Sequence, residues 1–127
     1  MIQAIIESGR AEFALDAVKE VIGSVDDKTK KEYKSYAKKL PSLVLTNGLA
    51  ATVAFACEKG GAWDLLVKNI SCWLVKKKFF ADKDGLKEYL CSLYSDDYRI
   101  VTNEVLSLFE WVRRFASGMI EGEATND

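Results

Sequence analysis

The tightest constraint on the fold is a seam near the C-terminus: Val101, Val105, Leu108, Val112, Phe115 and Met119 follow one another at alternating steps of four and three. At ~100° per residue those steps keep one stripe of a helix apolar for about five turns, a period that a strand cannot use. A helix with such a stripe must lay it against other elements, so the rest of the chain has to offer matching surfaces. It does: proline occurs once and glycine eight times in 127 residues, helical spacing recurs from end to end, and strand signals are almost absent. The expectation is an all-α chain, a single compact bundle of about six helices over residues 1–127, with an acidic tail from about residue 120 that frays. Core packing is the default role of the seam, because about three heptads are too few to argue for a coiled coil.

The other helices follow from the same spacing. The first runs from Ile2 to Ile22 and stops at Gly23, with Ile2, Ile6, Phe13, Ala17 and Val21 on its apolar side. Arg10 falls among them, either reaching out from the edge of the stripe or paired with a carboxylate of another helix; pairing is favoured because buried charge needs a partner. A capping signal at Ser24 to Asp27 opens a second helix reaching about Leu40. Pro41 is expected to mark a boundary, followed by an apolar central helix from Pro41 to Lys59. Within it Gly48 is read as allowing a close helix contact and Asn47 as making a buried hydrogen bond, although the pair alone would signal a turn. Gly60-Gly61 ends that helix. A fourth runs from Ala62 to Phe80 with Trp63, Leu66, Ile70, Trp73 and Leu74 inside, a short fifth covers GLKEYLCSL, and the last runs from Ser95 or Asp96 to Met119.

What the chain lacks narrows its chemistry. It has no histidine, which removes Ser-His-Asp and Cys-His catalysis and every zinc site that needs imidazole. No phosphate-binding glycine loop or iron-carboxylate motif is present. Carboxylate pairs such as Asp26-Asp27, Asp82/Asp84 and Asp96-Asp97 stand at helix starts or in loops, where carboxylates cap helices. No catalytic residue, metal site, cofactor or small-molecule substrate is therefore assigned, and the chain is not expected to be an enzyme. Cys57, Cys72 and Cys91 include no C-x-x-C pair and read as reduced, buried small hydrophobes in a cytosolic protein. Glu7 stands where a signal peptide would still be apolar, and no run approaches the ~18 apolar residues of a membrane span. No membrane partner is expected and the location is expected to be cytoplasmic.

With 18 basic and 19 acidic side chains, a nucleic-acid role requires the positive charges to gather on one face. They do so best on the second helix. Tyr33, Tyr36, Ala37 and Leu40 share one side, Lys31, Lys34 and Lys38 share the other, and Lys28 lies beside them. Two readings stay open: a solvated face, or contact with a sugar-phosphate backbone without base reading. No aromatic residues interleave with these lysines, so stacking is not indicated on that face. Lys76, Lys77 and Lys78 form a second cluster, which the dipole of the preceding helix largely explains. On the last helix Arg99, Leu106 and Arg113 recur every seven residues with Arg114 nearby. An exposed leucine between arginines suits a protein interface.

Two stretches carry a family likeness: Y-K-S-Y-A-K-K-L-P-S-L-V-L-T-N-G-L-A-A-T-V-A-F, Tyr33 to Phe55, and Y-R-I-V-T-N-E-V-L-S-L-F-E-W-V-R-R-F-A, Tyr98 to Ala116. In their order of a basic helix, "LP", "NGL", "T-x-A-F", "YR" and "W-x-R-F-A" they resemble the small helical subunit of type III-B CRISPR effector complexes, the fifth protein of the Cmr set. R-A-E-F-A-L-D-A-V, Arg10 to Val18, is similar to that family's first helix. Ala51 stands where the family often has glutamine, and Lys59 to Asp84 has no distinctive counterpart. The resemblance implies a non-catalytic subunit of an RNA-guided ribonucleoprotein in a prokaryotic cytoplasm. Its implied partners are other Cmr-complex subunits, especially the backbone subunit, together with copies of itself, guide RNA and target RNA. On that view Lys31, Lys34 and Lys38 face nucleic acid, with Lys28 and Lys76 to Lys78 next, while Arg99, Leu106, Arg113 and Arg114 serve protein contacts or share the nucleic-acid groove. Tyr33, Tyr36, Asn47, Gly48 and Trp111 belong to the shared motifs but are read as fold. The competing reading is a helical protein–protein adaptor without RNA contact; a third is the small subunit of a related type III complex.

Overall fold

The computed structural model describes residues 2–81 and 84–124, with side chains from Gly9 onward in the first helix. Ile2, Ile6 and Asp82, singled out from the sequence, have side chains outside that description. Six helices follow in order: α1 (Ile2–Ser24), α2 (Asp27–Asn47), α3 (Leu49–Lys59), α4 (Ala62–Lys76), α5 (Leu86–Cys91) and α6 (Ser95–Met119). The all-α expectation holds, with no strand among the described residues. α6 packs between α1 and α2, α2 also meets α3 and α4, α4 packs on α3, and short α5 leans on α3.

The seam of α6 sets this arrangement. Val101, Val105, Leu108, Phe109, Val112 and Ala116 are buried, and Phe109 and Leu108 lose all exposure to water. Burying each large side chain contributes about 1.5–3 kcal/mol. The stripe drifts at its end: Phe115 is half-buried and Met119 exposed, while Ala116 and Ile120 take the inner positions. A straight helix at 3.6 residues per turn slips off a strict seven-residue repeat. α4 delivers Trp63, Leu66, Ile70, Trp73 and Leu74 inward as its spacing requires.

The α2–α3 hairpin departs from expectation. α2 does not end before Pro41 but runs through it to Asn47. Proline removes the N–H that would reach the Ala37 carbonyl, yet Leu40 and Val44 are both buried on the side of α2 that carries Tyr33 and Ala37, so burial on either side of Pro41 holds the helix. The break falls at Gly48 instead, with φ 90° and ψ 158°, a region that only glycine enters cheaply. Its N–H closes α2 on the Val44 carbonyl at 2.8 Å. Asn47 is exposed rather than buried. The turn reading of Asn47-Gly48 was thus the right one, and the expected single central helix is two.

Smaller corrections have similar causes. Gly23 lies inside α1, which continues to Ser24. α4 stops at Lys76 because Lys78 turns left-handed, with φ 66°. The Phe79 N–H then bonds the Leu74 carbonyl and the Lys78 N–H the Val75 carbonyl, both at 2.9 Å, the paired bonds of a Schellman stop. The cysteines are free, but only Cys57 is partly buried; Cys72 and Cys91 are exposed, on the outer sides of α4 and α5. No helix of the described residues is long and apolar enough to cross a membrane.

Candidate nucleic-acid interface

α2 is the element that positions the basic face. Asp26 caps it, its carboxylate accepting the Thr29 N–H at 2.8 Å, and hydrogen bonding to Thr29 holds that carboxyl below its usual range. From this start the helix turns Tyr33, Ala37, Leu40 and Val44 into the core. The Tyr33 hydroxyl donates to Asn69 Oδ1 at 2.6 Å, and burial pushes its titration far above that of a free phenol. Lys28 and Lys38 stand exposed on the outer side, beside exposed Lys39.

The other two lysines of the predicted face are engaged. Lys31 is half-buried and paired with Asp27 at 2.9 Å. Lys34 is 5% exposed; its ammonium donates to the Ile120 carbonyl at 3.0 Å and lies 3.7 Å from Glu123. The expectation of a lysine presented to solvent is corrected here. Lys34 follows Tyr33 by ~100°, close enough to the buried side for the end of α6 to reach it. Buried Ile120 brings the start of the acidic tail across this edge. The solvent-facing cations of α2 are therefore Lys28, Lys38 and Lys39, with half-buried Lys30 and Lys31 contributing in part.

Lys76, Lys77 and Lys78 are exposed at the end of α4, where Lys76 lies over the Phe13 ring at 5.7 Å and Lys77 over the Trp73 ring at 5.5 Å. This cluster does not join the first. Trp73 meets α6 at Glu104, whereas Lys34 meets the chain just past Met119, and helix rise puts roughly 22 Å between those anchors. On α6, Arg99 and Arg114 are exposed and Arg113 half-exposed. Arg113 and Arg114 both reach Glu110, at 3.2 and 3.5 Å. Leu106, read as exposed between arginines, instead packs partly into the core.

Two arrangements have partners that the sequence does not name, because they join distant positions. Arg10 is indeed paired across helices: its Nε and Nη2 donate to Glu104 at 2.9 and 3.2 Å, and Trp73 Nε1 donates to the same carboxylate at 2.9 Å. Burial raises the Glu104 carboxyl, but these hydrogen bonds and the Arg10 charge outweigh it and leave the group below its ordinary value. The second links the two motif stretches. The Tyr98 hydroxyl accepts the Ala50 N–H at 2.7 Å, satisfying a free donor at the start of α3, and a Cβ on Gly48 would stand 3.4 Å from that hydroxyl. The Thr52 hydroxyl donates back to the Gly48 carbonyl at 2.8 Å. "NGL", "T" and "YR" are therefore parts of one joint between α2, α3 and α6.

Comparison with known proteins agrees with the motif order. The family model described as CRISPR-associated protein (Cas_Cmr5) matches residues 6–119. A protein of Thermus thermophilus named CRISPR system Cmr subunit Cmr5 is 33% identical over 90 residues, covering 71% of this chain and 76% of its own length. With the family model running from within α1 to the end of α6, the chain belongs to the Cmr5 family of CRISPR-associated proteins.

Proposed function

We propose that this chain is the non-catalytic small subunit of a type III-B Cmr ribonucleoprotein, acting in antiviral defence in a prokaryotic cytoplasm. It stacks beside the backbone subunit and beside copies of itself, and it helps to form the groove for guide and target RNA. The observation that carries the RNA part is the outer side of α2, where Lys28, Lys38 and Lys39 stand exposed within about 16 Å of helix. Lys30 and Lys31 are the partial members of that face; Lys34 supports it from beneath. Lys76 to Lys78 form a separate basic end. Arg99, Arg113 and Arg114 serve protein contacts on α6, while Leu106 packs partly into the core.

The adaptor reading has an observation of its own: Leu45, Ile100 and Tyr94 are 74%, 56% and 85% exposed, as suits surfaces that meet other proteins. Co-expression of the tagged chain with the proteins encoded beside it, followed by size-exclusion chromatography and analysis of bound RNA, separates the two. A large particle carrying short guide-like RNAs is the expected result. Elution alone and free of RNA, with those partners present, contradicts the subunit reading; a large particle without RNA favours the adaptor.

A further inference from the structure

A second flank of α2, turned away from Lys31 and Lys34, carries aromatic rings beside lysines. The Tyr36 ring stacks on Trp63 with centroids 4.4 Å apart and planes 5° from parallel. Phe55 meets the same indole edge-on at 5.3 Å and 79°. Trp63 is buried while Phe55 stays 39% exposed, so a fixed indole holds a phenyl ring at the surface. Lys39 lies 5.7 Å from the Tyr36 centroid and Lys59 5.7 Å from that of Phe55. Among the described residues neither lysine has a carboxylate partner within salt-bridge distance. Next to Phe55, the space between α2 and α3 opens as a groove of about 350 Å³ lined by Leu43, Asn47, Ala51, Thr52 and Phe55, within the usual ~300–1,000 Å³ of small-ligand clefts.

We propose that this groove receives an unpaired nucleobase of a single-stranded RNA, stacked on Phe55, with Lys39 and Lys59 holding the flanking phosphates. This rests on the RNA reading above and adds a base-accepting element to it. Helix spacing supports the geometry: Lys39, Leu43 and Asn47 lie one turn apart along α2, and Ala51, Phe55 and Lys59 one turn apart along α3. The apolar wall suits a base face, and the exposed Asn47 amide offers a donor and an acceptor to a base edge. An apolar partner side chain would fill the same space but leave that amide and two ammonium groups to lose water without replacement. A nucleotide satisfies all three. Stacking of this kind accepts any base.

The test uses the purified full chain and two probes, a uridine homopolymer of about 15 nucleotides and an abasic ribose-phosphate strand of the same length. Wild-type protein is expected to bind the homopolymer about fivefold or more tighter than the abasic strand. Phe55→Leu, which keeps apolar volume but loses the ring, abolishes that preference; Lys59→Ala with Lys39→Ala weakens both strands. If Phe55→Leu melts early, Lys59→Ala alone carries the test, because Lys59 is exposed on α3 and lies outside the outer face of α2. Undiminished homopolymer binding by Phe55→Leu, or by either lysine variant, overturns the proposal, as does wild-type protein binding neither strand. Reversal of Lys28 and Lys38 reports separately on the outer face, so loss of binding there with the base preference intact leaves the groove standing. Normal RNA binding with failed assembly in Phe55→Leu assigns the groove to a protein partner and also overturns it.

Discussion

α6 and the α2–α3 hairpin are built from similar residues, yet they stand differently to water and to the sequence rules. In α6 one stripe repeats without interruption and its first four members point where their spacing says, with Phe115 and Met119 drifting off at the end. In the hairpin the same rules are overridden twice: a proline is carried through a helix and a glycine divides an apolar run. A uniform stripe specifies a helix by burial alone, whereas a run that is apolar all round leaves the break to be decided by backbone conformation.

The comparison can be broken most sharply at the seam. Leu108→Ala should cost about 2–5 kcal/mol of stability, read by urea unfolding; a loss below 1 kcal/mol would mean the seam is not the organising element. At the hairpin, Gly48→Ala should cost about 1–3 kcal/mol, because alanine at φ 90° is strained however much room it has. An unchanged melting temperature would contradict the left-handed joint.

A third experiment contrasts neighbouring lysines. Lys34→Ala removes the bond to Ile120 and should cost about 1.5–3 kcal/mol, whereas Lys38→Ala should stay within about 0.5 kcal/mol. Equal effects would place both lysines in the same environment and contradict the buried position of Lys34.

The smallest effect is one of pH. Glu104 titrates below its ordinary value in the folded protein, so the stability it contributes is complete above the unfolded value near 4.5 and is lost as pH falls through the folded one. Wild type should exceed Glu104→Gln in melting temperature near neutrality, and that margin should shrink on acidification below about pH 4.5. A constant margin would show that the Arg10–Glu104 pair adds nothing through its charge.

Most of the fold could be read from spacing, because α4 and α6 are amphipathic over several turns. The place of Arg10 in an apolar stripe implies a charged partner but does not point to Glu104, since nothing local joins positions 94 residues apart. The basic face was legible as a helical side, yet not its covering: only tertiary structure brings Ile120 and Glu123 onto Lys34. The aromatic groove is not legible in the sequence because Tyr36, Phe55 and Trp63 come from three different helices. Leu106 misled for a related reason, since position on a wheel does not reveal how close a neighbouring helix stands.

The central claim is that α2 presents its outer lysines to RNA while Lys34 holds the structure behind them. The most direct measurement is the salt dependence of RNA binding by the assembled particle, comparing wild type with Lys28→Glu/Lys38→Glu. Phosphate contacts release counterions, so each one lost lowers the slope of log affinity against log salt by about 0.7–0.9. The account predicts weaker binding, a shallower slope by about two such steps for each copy in contact, and unchanged melting of the subunit. Equal affinity and slope in a fully assembled particle would contradict it, leaving those lysines as solvated surface.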